Sequence, residues 1–467
     1  MGNINNIKFG TDGWRAITDK DFNETNVNIA VCAIAKYIYD NYGADKNIII
    51  GYDPRNKADF FAEFASKILI DFGFNVILSN VVVPTPVLAF NAKHLNACAL
   101  MFTASHNPPE YLGLKFIPDY AGPATSDITN EITKNLGKDF KKFSDDGNVT
   151  LTDFAPAYIM NLKNLIDFGK IKKFFCMTAS PKIIFDGLYS ATIGYFDKIL
   201  KLEEIPFESL HMFRDVNFGG AMPEPKPQYL GELIEKIKSD KNALGFANDG
   251  DGDRFGVINE KGEYVTPNEI IGILLLHLMK NKGYTGALVK TVGASSLLNI
   301  LAKKLGVEIV ETPVGFKYVG EAMRKYNPII AGEDSGGLSI QNYIPEKDGI
   351  LANLLILEAV AYAEKPLYEL QNELRDIVGC EFYNTRIDKK LSDTSEIAEF
   401  KEKFKNLNSV GEYKIVSKDF KDGIKLFIDE CNWILARPSG TEPLLRIYIE
   451  TNDKNRMKEL KELLERV

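Results

Sequence analysis

Short runs of β-branched residues alternate with helical patterns along most of the chain. The run Asn47–Tyr52 predicts a strand, and apolar residues then return at helical spacing until Gly73, which is typical of a helix end. The recurring apolar positions are Phe61, Phe64, Ala65, Ile68 and Phe72. The same order of strand, loop and helix returns from Lys182, with a helix predicted near Ala191–Leu200, and again from Ala287. The pattern predicts a threefold repeat with about 100 residues per unit.

The tail of the chain differs, because its β pattern is less regular and its charge density is higher. Two strands are predicted at Trp433–Ala436 and Leu444–Glu450, and a terminal amphipathic helix at Asp453–Arg466. We therefore expect an α/β protein of three similar domains with mixed sheets, followed by a smaller C-terminal α+β domain. The predicted domains are residues 1–152, 153–256, 257–370 and 371–467, and the predicted linkers are Lys365-Pro366 and Ile387–Glu399.

Each of the three repeats also ends a predicted strand with a polar, glycine-rich loop. These loops are Thr103–Pro108, Asn248–Arg254 and Gly332–Gly337. Ligands of open α/β sheets bind beyond the carboxyl ends of the strands. We therefore expect the three loops to face one another across a common cleft.

The overall composition excludes several classes of function. The chain of 467 residues carries 56 Lys and Arg against 64 Asp and Glu, a net charge of −8, so nonspecific binding to nucleic acid is not expected. Its five cysteines lack any CxxC pair, which predicts reduced thiols instead of a disulfide framework or a zinc site. The start of the chain has no secretory pattern, and the longest apolar run, Ile270–Met279, is much shorter than the roughly 20 residues that span a membrane. We expect a cytoplasmic protein with no membrane partner.

Three aspartates alternate with glycine directly after the predicted strand Ala243–Ala247. In an extended loop, Asp249, Asp251 and Asp253 point the same way, and three carboxylates close together need a cation to offset their repulsion. Ligation by oxygen alone favours Mg²⁺ over zinc. An acidic surface turn is the alternative, but the strict alternation and the adjacent Arg254 favour a metal site.

A serine in the first of these loops is a candidate nucleophile. Ser105 lies in the segment TASHNP, where two prolines restrict the loop and a held hydroxyl can carry a phosphate. A polar turn is the simpler interpretation of this segment when it is taken alone. His106 is more typical of a loop hydrogen bond than of a base, and Lys115 is more typical of a solvated charge.

Two further loops carry groups that suit a phosphorylated sugar. The segment RPSGTEP offers the guanidinium of Arg437 and the hydroxyls of Ser439 and Thr441, while Gly440 lets a backbone amide approach an anion. A tight turn between two strands explains this segment equally well. The segment GEDSGG offers Glu333 and Ser335 to paired sugar hydroxyls, although alone it is a weak signal.

The five segments FGTDGWR, TASHNP, DGDGDR, GEDSGG and RPSGTEP follow one another in this order over residues 7 to 450. As a set they resemble the α-D-phosphohexomutases, the phosphoglucomutase/phosphomannomutase superfamily. The shorter segments GYDPR, ETPVGFKY and PEKDG resemble it as well. The resemblance implies four domains around one deep cleft, with a phosphate-binding domain at the C-terminal end.

The resemblance also implies a role for each candidate residue. Ser105 would carry the transferable phosphate and share Mg²⁺ with Asp249, Asp251 and Asp253. Lys115 would be the general acid/base, with Arg254, Arg15 and His106 as the other candidate catalytic residues. Substrate-binding residues would be Glu333, Ser335, Lys347, Arg437, Ser439, Gly440, Thr441 and Arg446.

The function implied is that of a phosphoglucomutase, which interconverts glucose 1-phosphate and glucose 6-phosphate. A hexose 1,6-bisphosphate would serve as intermediate and activator, and small-molecule sugar phosphates would be the partners, in a monomer or a dimer. The alternatives are a phosphomannomutase or dual-specificity enzyme, a phosphoserine-dependent sugar phosphatase and a noncatalytic sugar-phosphate-binding protein. The loop GEDSGG, which lacks a GxxSGH form, favours glucose over glucosamine.

Two positions depart from the family pattern. Leu112-Gly113 stands where the family often has Asn-Gly ahead of the lysine, which leaves the local support of Lys115 open. The pair Asn342-Tyr343 after the sugar loop is also atypical, and weakens the inference about the sugar. A kinase is disfavoured, because the chain has no GxxxxGK[ST] loop to hold a nucleotide.

Overall fold

A computed structural model describes residues 6–10, 13–143, 147–177, 180–240, 242–390, 395–438 and 444–465. The first unit is a six-stranded mixed sheet in the order β1-β5-β4-β2-β3-β6 with helices packed against it. Its elements are β1 (Trp14–Ile17), α1 (Glu24–Tyr42), β2 (Ile48–Tyr52), α2 (Ala58–Asp71), β3 (Asn75–Ser79), α3 (Thr85–His94), β4 (Cys98–Phe102), β5 (Tyr111–Ile117), α4 (Ser126–Asn135) and β6 (Asn148–Thr152). The predicted α2 ends at Asp71, and Gly73 follows with a φ of 96°, which is the conformation expected just after a helix end.

The second unit is a five-stranded sheet in the order β11-β10-β9-β7-β8. Its elements are α5 (Ala155–Leu165), α6 (Phe168–Phe175), β7 (Lys182–Asp186), α7 (Phe196–Leu202), β8 (Phe207–Leu210), α8 (Gly231–Asp240), β9 (Ala243–Asn248), β10 (Phe255–Ile258) and β11 (Tyr264–Val265). The helix predicted near Ala191–Leu200 begins only at Phe196. Gly194 has a φ of 86° and interrupts the helical pattern before it.

The third unit is a four-stranded sheet in the order β13-β12-β14-β15. Its elements are α9 (Pro267–Lys282), β12 (Leu288–Thr291), α10 (Ser296–Leu305), β13 (Ile309–Thr312), α11 (Phe316–Tyr326), β14 (Ile330–Gly332), β15 (Leu338–Ile340), α12 (Gly349–Ala363) and α13 (Leu367–Val378). The hydroxyl of Ser295 caps α10, and Gly306 ends it in the left-handed conformation, as the sequence predicts.

The three sheets repeat one topology, which confirms three similar α/β units. In each, two neighbouring strands run parallel to a third, and that third strand turns back through a hairpin into an antiparallel strand. The hairpins are β4–β5, β9–β10 and β14–β15. Each hairpin loop is one of the three polar loops that the sequence singled out, so the candidate chemistry occupies equivalent places in the three units.

The fourth unit is a five-stranded antiparallel sheet in the order β16-β22-β21-β20-β19, with a separate two-stranded ribbon β17-β18. Its elements are β16 (Tyr383–Lys390), α14 (Ser395–Asn406), β17 (Ser409–Val410), β18 (Tyr413–Lys414), β19 (Ser417–Asp419), β20 (Ile424–Phe427), β21 (Trp433–Pro438), β22 (Leu444–Thr451) and α15 (Lys454–Glu465). It forms its own apolar core from the inner faces of the sheet and helices.

Neither predicted linker is a linker among the described residues, and residues 391–394 of the second one lie outside them. Lys365-Pro366 is a short break between α12 and α13, with Pro366 preceding the first helical residue. The range Ile387–Glu399 includes the end of β16 and the start of α14. The helix α13 packs on α9 and α10, so the boundary predicted after residue 370 falls inside a helix that packs with the third unit.

One large apolar core joins the first three units. It includes residues of all three sheets and surrounds α12, where every residue from Gly349 to Ala361 is buried. A helix buried on all sides needs no polar face, which explains the nearly continuous apolar sequence of α12. Among the described residues, no helix combines the length and the apolar character needed to cross a membrane.

Candidate active site

The loop between β4 and β5 holds Ser105 in a fixed and unusual conformation. Its φ is 53°, in the left-handed region that a non-glycine residue adopts only when its surroundings enforce it. Its amide donates a hydrogen bond of 2.8 Å to the hydroxyl of Thr103. Ser105 is 1% exposed, so it is buried and does not belong to a surface turn.

A buried arginine that the sequence analysis did not select holds this loop. Arg55 lies just after β2 and donates hydrogen bonds to the carbonyls of Ser105 at 2.6 Å and Asn107 at 2.7 Å. It also donates to the carbonyls of Pro108 and Tyr111, at 2.8 and 3.1 Å. Its Nε pairs with Asp53 at 3.1 Å. The signal for Arg55 in the sequence is the segment GYDPR, at the carboxyl end of a buried strand.

The three aspartates of the β9–β10 loop converge, as the alternation predicts. Asp249, Asp251 and Asp253 are fully buried, and one carboxylate oxygen from each lies within 4.8 Å of the others. The Ser105 hydroxyl donates to Asp249 Oδ2 at 2.8 Å. Burial, together with the charges of the other two aspartates, raises the pKa of Asp249 well above its ordinary value.

Two lysines from separate units approach the same triplet. Lys115 Nζ lies 2.8 Å from Asp251 Oδ2 and 3.0 Å from Asp253 Oδ2. Lys347 Nζ lies 3.2 Å from Asp253 Oδ2. Both lysines are almost fully buried, so Lys115 is not the solvated charge that its local sequence suggests. These cations offset part of the negative charge that the triplet concentrates.

The leucine at position 112 does not disturb this lysine. Successive residues of β5 point to opposite faces, and Leu112 and Leu114 pack in the apolar core on one face. Lys115 is on the other face, towards the triplet. Gly113 shares that face, and a Cβ there would lie 2.5 Å from the carbonyl oxygen of Thr103. The strand therefore needs glycine at 113 but accepts an apolar residue at 112.

The triplet fits a magnesium ion. All of its groups that converge are carboxylate oxygens, which is the ligand chemistry that Mg²⁺ prefers. The second oxygen of Asp253 is buried and accepts no hydrogen bond from the described residues. A buried, unsatisfied carboxylate oxygen is costly unless a cation or donor satisfies it.

Arg254 follows the triplet and is also drawn into it. Its amide donates to Asp249 Oδ1 at 2.9 Å, and its guanidinium lies 3.5 Å from Glu224. Burial alone would lower the pKa of Arg254, but the charges of Asp249 and Asp253 outweigh burial and raise the pKa above its ordinary value. Arg254 therefore keeps its positive charge next to Asp249, which accepts the hydrogen bond from the Ser105 hydroxyl.

The β14–β15 loop supplies two neighbouring carboxylates, Glu333, which is buried, and Asp334, which is half-buried. Glu333 Oε1 accepts the amide of Gly315 at 2.9 Å, and burial raises the pKa of both Glu333 and Asp334. The charges of Lys347 and Arg254 act on Glu333, and that of Arg437 acts on Asp334. Ser335, on the same loop, is partly exposed. The third loop therefore faces both the triplet and the fourth unit.

Two arginines of the fourth unit lie side by side. Arg437 on β21 and Arg446 on β22 are directly paired across the strands. Like charges directly opposite one another destabilise a sheet unless an anion lies between them. Arg437 Nε lies 2.9 Å from Asp422. Ser439, Gly440 and Thr441 lie outside the described residues.

The remaining two candidates flank the serine loop. Arg15 Nη1 donates to Asn107 Oδ1 at 2.7 Å, which ties β1 to the serine loop. His106 Nδ1 lies 3.4 Å from the Ser105 hydroxyl. Hydrogen bonds and ion pairs therefore link the serine loop, the acidic triplet, Lys115 and Lys347, and the charge of Arg437 acts on Asp334 of the third loop.

Comparisons with known proteins identify the family of the chain. The chain matches the phosphoglucomutase/phosphomannomutase family throughout: α/β/α domain I over residues 6–142, domain II over 156–262, domain III over 266–377 and the C-terminal domain over 386–467. The chain belongs to the α-D-phosphohexomutase superfamily. Phosphohexomutases are isomerases that transfer a phosphoryl group within the substrate, and this chain is an enzyme of that class.

Individual phosphohexomutases resemble the chain over nearly its whole length. A phosphoglucomutase/phosphomannomutase of Thermococcus kodakarensis is 28% identical over 467 residues, covering 97% of each chain. A phosphoglucosamine mutase of Methanocaldococcus jannaschii is 30% identical over 437 residues, covering 90% of each. A crystal structure of a Thermus thermophilus protein, provisionally assigned as a phosphomannomutase, superimposes with a TM-score of 0.87 at 30% identity. It covers 100% of this chain and 99% of that one.

Proposed function

We propose that the protein is a phosphoglucomutase, which interconverts glucose 1-phosphate and glucose 6-phosphate through a phosphoserine at Ser105. The observation that carries the proposal is the hydrogen bond of 2.8 Å between the Ser105 hydroxyl and Asp249, within the buried acidic triplet. A surface serine turn would have neither this burial nor a cation site beside it. The strained conformation of Ser105, held by Arg55, supports a role beyond packing.

Each residue of the cleft has a defined part in the first phosphoryl transfer. Asp249, Asp251 and Asp253 would hold Mg²⁺, which supplies positive charge to the phosphoryl oxygens when bound. Arg254 and Arg15 balance the remaining charge on the phosphoryl group. Lys115, held beside the triplet by Asp251 and Asp253, would act as the general base in its neutral amine form and become the ammonium as it takes the proton of the attacking sugar hydroxyl. The bond from the Ser105 oxygen to phosphorus breaks as the bond from the sugar oxygen forms.

The product of that step is a hexose 1,6-bisphosphate, and it must turn over in the cleft before the second transfer. The second phosphate then faces Ser105 and restores the phosphoserine. The distal site must accept either phosphate, which suits the pair Arg437 and Arg446, since guanidinium forks bind phosphate without reading the sugar. Glu333 and Ser335 would hold the ring hydroxyls in both orientations. Lys347 would support the substrate phosphate.

Glucosamine phosphate is the second candidate substrate. Several relatives of about 28% identity, and the one of 30%, are named phosphoglucosamine mutases. The loop after β14 carries two adjacent carboxylates, Glu333, which is buried, and Asp334, which is half-buried, and the ammonium of glucosamine would be a counter-charge for them. Mannose phosphate, which differs from glucose phosphate only at one hydroxyl, stays as an alternative within the same site.

The test is a coupled assay with the 1-phosphates of glucose, mannose and glucosamine side by side, started with glucose 1,6-bisphosphate. We expect the highest kcat/KM with glucose 1-phosphate and a loss of about 10³-fold or more in Ser105→Ala. Ser66→Ala, which removes a hydroxyl from α2 that bonds only to its own helix, is the matched control. Retained activity in Ser105→Ala would overturn the mechanism.

The same reactions separate a mutase from a phosphatase. A mutase converts the sugar phosphate without releasing inorganic phosphate, whereas a phosphatase using the same phosphoserine releases it in proportion to turnover. A higher kcat/KM with glucosamine 1-phosphate than with glucose 1-phosphate would replace the proposed substrate with the second candidate.

A further inference from the structure

A turn of the fourth unit packs on the third unit next to the β14–β15 loop. This loop carries Glu333 and Ser335 and is called the sugar loop below. The turn joins β19 to β20, and its Asp422 accepts the amide of Val314 at 2.8 Å through Oδ2. The same oxygen lies 2.9 Å from Nε of Arg437. One carboxylate therefore contacts both an arginine of the candidate phosphate site and the backbone of the third unit.

The residue after Val314 extends this contact to the sugar loop. The amide of Gly315 donates to Glu333 Oε1 at 2.9 Å. Two consecutive amides of one loop are therefore held by two carboxylates, Asp422 from the fourth unit and Glu333 from the β14–β15 hairpin. Asp422 and Glu333 therefore bind neighbouring peptide groups of the same loop.

We propose that Asp422 is a positioning residue that orients Arg437 for the distal phosphate and couples this orientation to the sugar loop. The proposal rests on the proposed function, because it assigns Arg437 to the substrate phosphate and Glu333 to the sugar ring. Asp422 itself does not contact the reacting atoms in this arrangement. It acts through Arg437 on one side and through Val314 and Gly315 on the other.

The geometry of the pair suits this role. Asp422 Oδ2 lies 2.9 Å from Nε of Arg437, and this Nε makes no hydrogen bond among the described residues, so the two groups form an ion pair. The pair holds the guanidinium by charge on its Nε side, and its terminal Nη groups can take a phosphate. Arg446 lies directly across from Arg437, and a carboxylate beside the pair offsets the repulsion before an anion binds. About four-fifths of each side chain in the pair is buried, so solvent screens the interaction only in part.

The backbone of the turn fixes Asp422 in place. The next residue, Gly423, has a φ of 86°, and a Cβ there would lie 2.4 Å from the carbonyl oxygen of Ala436 and 2.8 Å from Cγ of Arg437. The turn is therefore packed directly against the segment that carries Arg437. The neighbouring Lys421 donates to the carbonyl of Glu311 at 3.2 Å, which provides a separate docking contact between the two units.

The experiment compares Asp422→Ala and Asp422→Asn, alone and combined with Arg437→Ala. Asp422→Asn keeps an acceptor for the Val314 amide but removes the charge that orients Arg437. The control is Asp429→Ala, in another turn of the fourth unit. Its carboxylate also accepts a backbone amide, that of Cys431 at 2.8 Å, and pairs with Arg456 at 3.5 Å, without contact to Arg437.

We expect Asp422→Ala to lower kcat/KM for glucose 1-phosphate about 10–100-fold, with KM raised, as for other residues that orient a binding group. Asp422→Asn should lose less, and Asp429→Ala should stay within about twofold of the wild type. In the Arg437→Ala background, Asp422→Ala should lower kcat/KM much less than it does in the wild type, because the guanidinium that Asp422 orients is absent. A purely structural role predicts equal losses in both backgrounds, and that result overturns the proposal.

The wild type is measured first, so that two failures can be told apart. If it turns over glucose 1-phosphate and neither Asp422 variant differs from it, the role of Asp422 is wrong while the proposed function stands. If it turns over no hexose phosphate, the proposed function fails, and the same variants are compared by calorimetric titration with glucose 1-phosphate. Additive changes in Kd would then overturn the coupling, and non-additive changes would support it. Should Asp422→Ala not fold, as judged by thermal unfolding, Asp422→Asn carries the comparison.

Discussion

The hydroxyl of Ser105 donates to Asp249 at 2.8 Å, although 144 positions separate the two residues in the chain. The bond joins the hairpin loops of the first and second units, which occupy equivalent places in two similar sheets. Taken alone, the serine loop is most simply a polar turn, while the alternating aspartates already favour a metal site. Their contact places the candidate nucleophile against the candidate metal ligands.

Lys115 should stabilise the protein most when magnesium is absent. Its ammonium contacts Asp251 and Asp253 inside the fold, and Lys115→Met leaves these carboxylates with less compensation. We expect the variant to lose about 3–5 kcal/mol of unfolding free energy in EDTA, and to gain more than the wild type when Mg²⁺ is added. Thermal unfolding with and without Mg²⁺ measures both effects. Equal stability of the two proteins in both buffers would contradict the role of Lys115 as a counter-charge.

Asp251→Asn tests the metal site through one of its candidate ligands instead of its counter-charge. The variant removes one charge from the triplet and should therefore show a smaller stabilisation by Mg²⁺ together with a lower rate of turnover. Calorimetric titration with Mg²⁺ gives the affinity independently of the rate. An unchanged rate would remove the triplet from the metal assignment.

Arg55→Lys should slow catalysis without weakening substrate binding to the same degree. A lysine can keep the ion pair with Asp53 but cannot donate to four loop carbonyls at once. We expect kcat to fall about 10–100-fold, since the backbone that aims Ser105 loosens, and KM to change little. Arg214→Ala is the control, because Arg214 contacts the outer side of the same segment, at the carbonyls of Pro54 and Arg55. A loss of equal size in both variants would show that the segment only needs to be packed.

Asp348 gives the protein a defined dependence on pH. Its buried carboxylate accepts hydrogen bonds from the hydroxyls of Tyr158, at 3.0 Å, and Tyr343, at 2.8 Å, and caps α12 through the amide of Leu351. Burial raises the pKa of Asp348 to about 6. The folded state therefore takes up a proton on Asp348 between pH 6 and the ordinary value near 4, where the unfolded chain is still ionised.

The direction in which stability changes with pH follows from that difference in proton uptake. The contribution of Asp348 to stability is fully present below about pH 4 and is lost as the pH rises through about 6. The unfolding free energy of the wild type, relative to Asp348→Asn, should fall by about 3 kcal/mol between pH 4 and pH 7. Urea denaturation over this range measures it. Asp167→Asn is the control with the opposite sign, because the amide of Lys170 lowers the pKa of Asp167 at the start of α6; a parallel change in both variants would contradict the assignment.

The fourth unit should close over the substrate. Its contacts with the third unit include a small apolar cluster around Val292, Trp433 and Leu435, and exclusion of water would protect the phosphoserine from hydrolysis. X-ray scattering should show a smaller radius of gyration on addition of glucose 1,6-bisphosphate. The radius of gyration of Arg437→Ala should decrease less than that of the wild type, because this variant weakens the binding of the phosphate by the fourth unit. The absence of any compaction in the wild type would refute this closure.

The sequence predicts the loops of the cleft better than it predicts what supports them. The acidic triplet and Ser105 follow buried strands as unusual polar segments, and the topology of α/β sheets then places them at one edge. The antiparallel fourth unit is also visible in the pattern of Leu444–Glu450. These features depend on residues that are neighbours in the chain, so a local pattern is enough to find them.

The supporting contacts depend on residues that are far apart, and no local pattern reveals them. Thr85, at the start of α3, donates to Asp251 at 2.5 Å across 166 positions. Arg55 and Asp422 look like ordinary charged residues of turns until the fold brings them to the serine loop and to Arg437. The predicted linker at Ile387–Glu399 includes the polar end of β16, and this polarity resembles that of a linker. The residues of β16 are polar on one face because only the other face meets the core of the sheet.

The recurrence of one hairpin at the same place in three sheets suggests how this enzyme class divides its labour. Copies of a single ancestral unit would each inherit a rigid backbone with a variable tip, and selection could then specialise the tips separately. Under the proposed function, one tip would hold the nucleophile, another the cation and the third the sugar ring. Exchange of a tip between homologous enzymes should therefore alter chemistry or preference while leaving the underlying sheets intact.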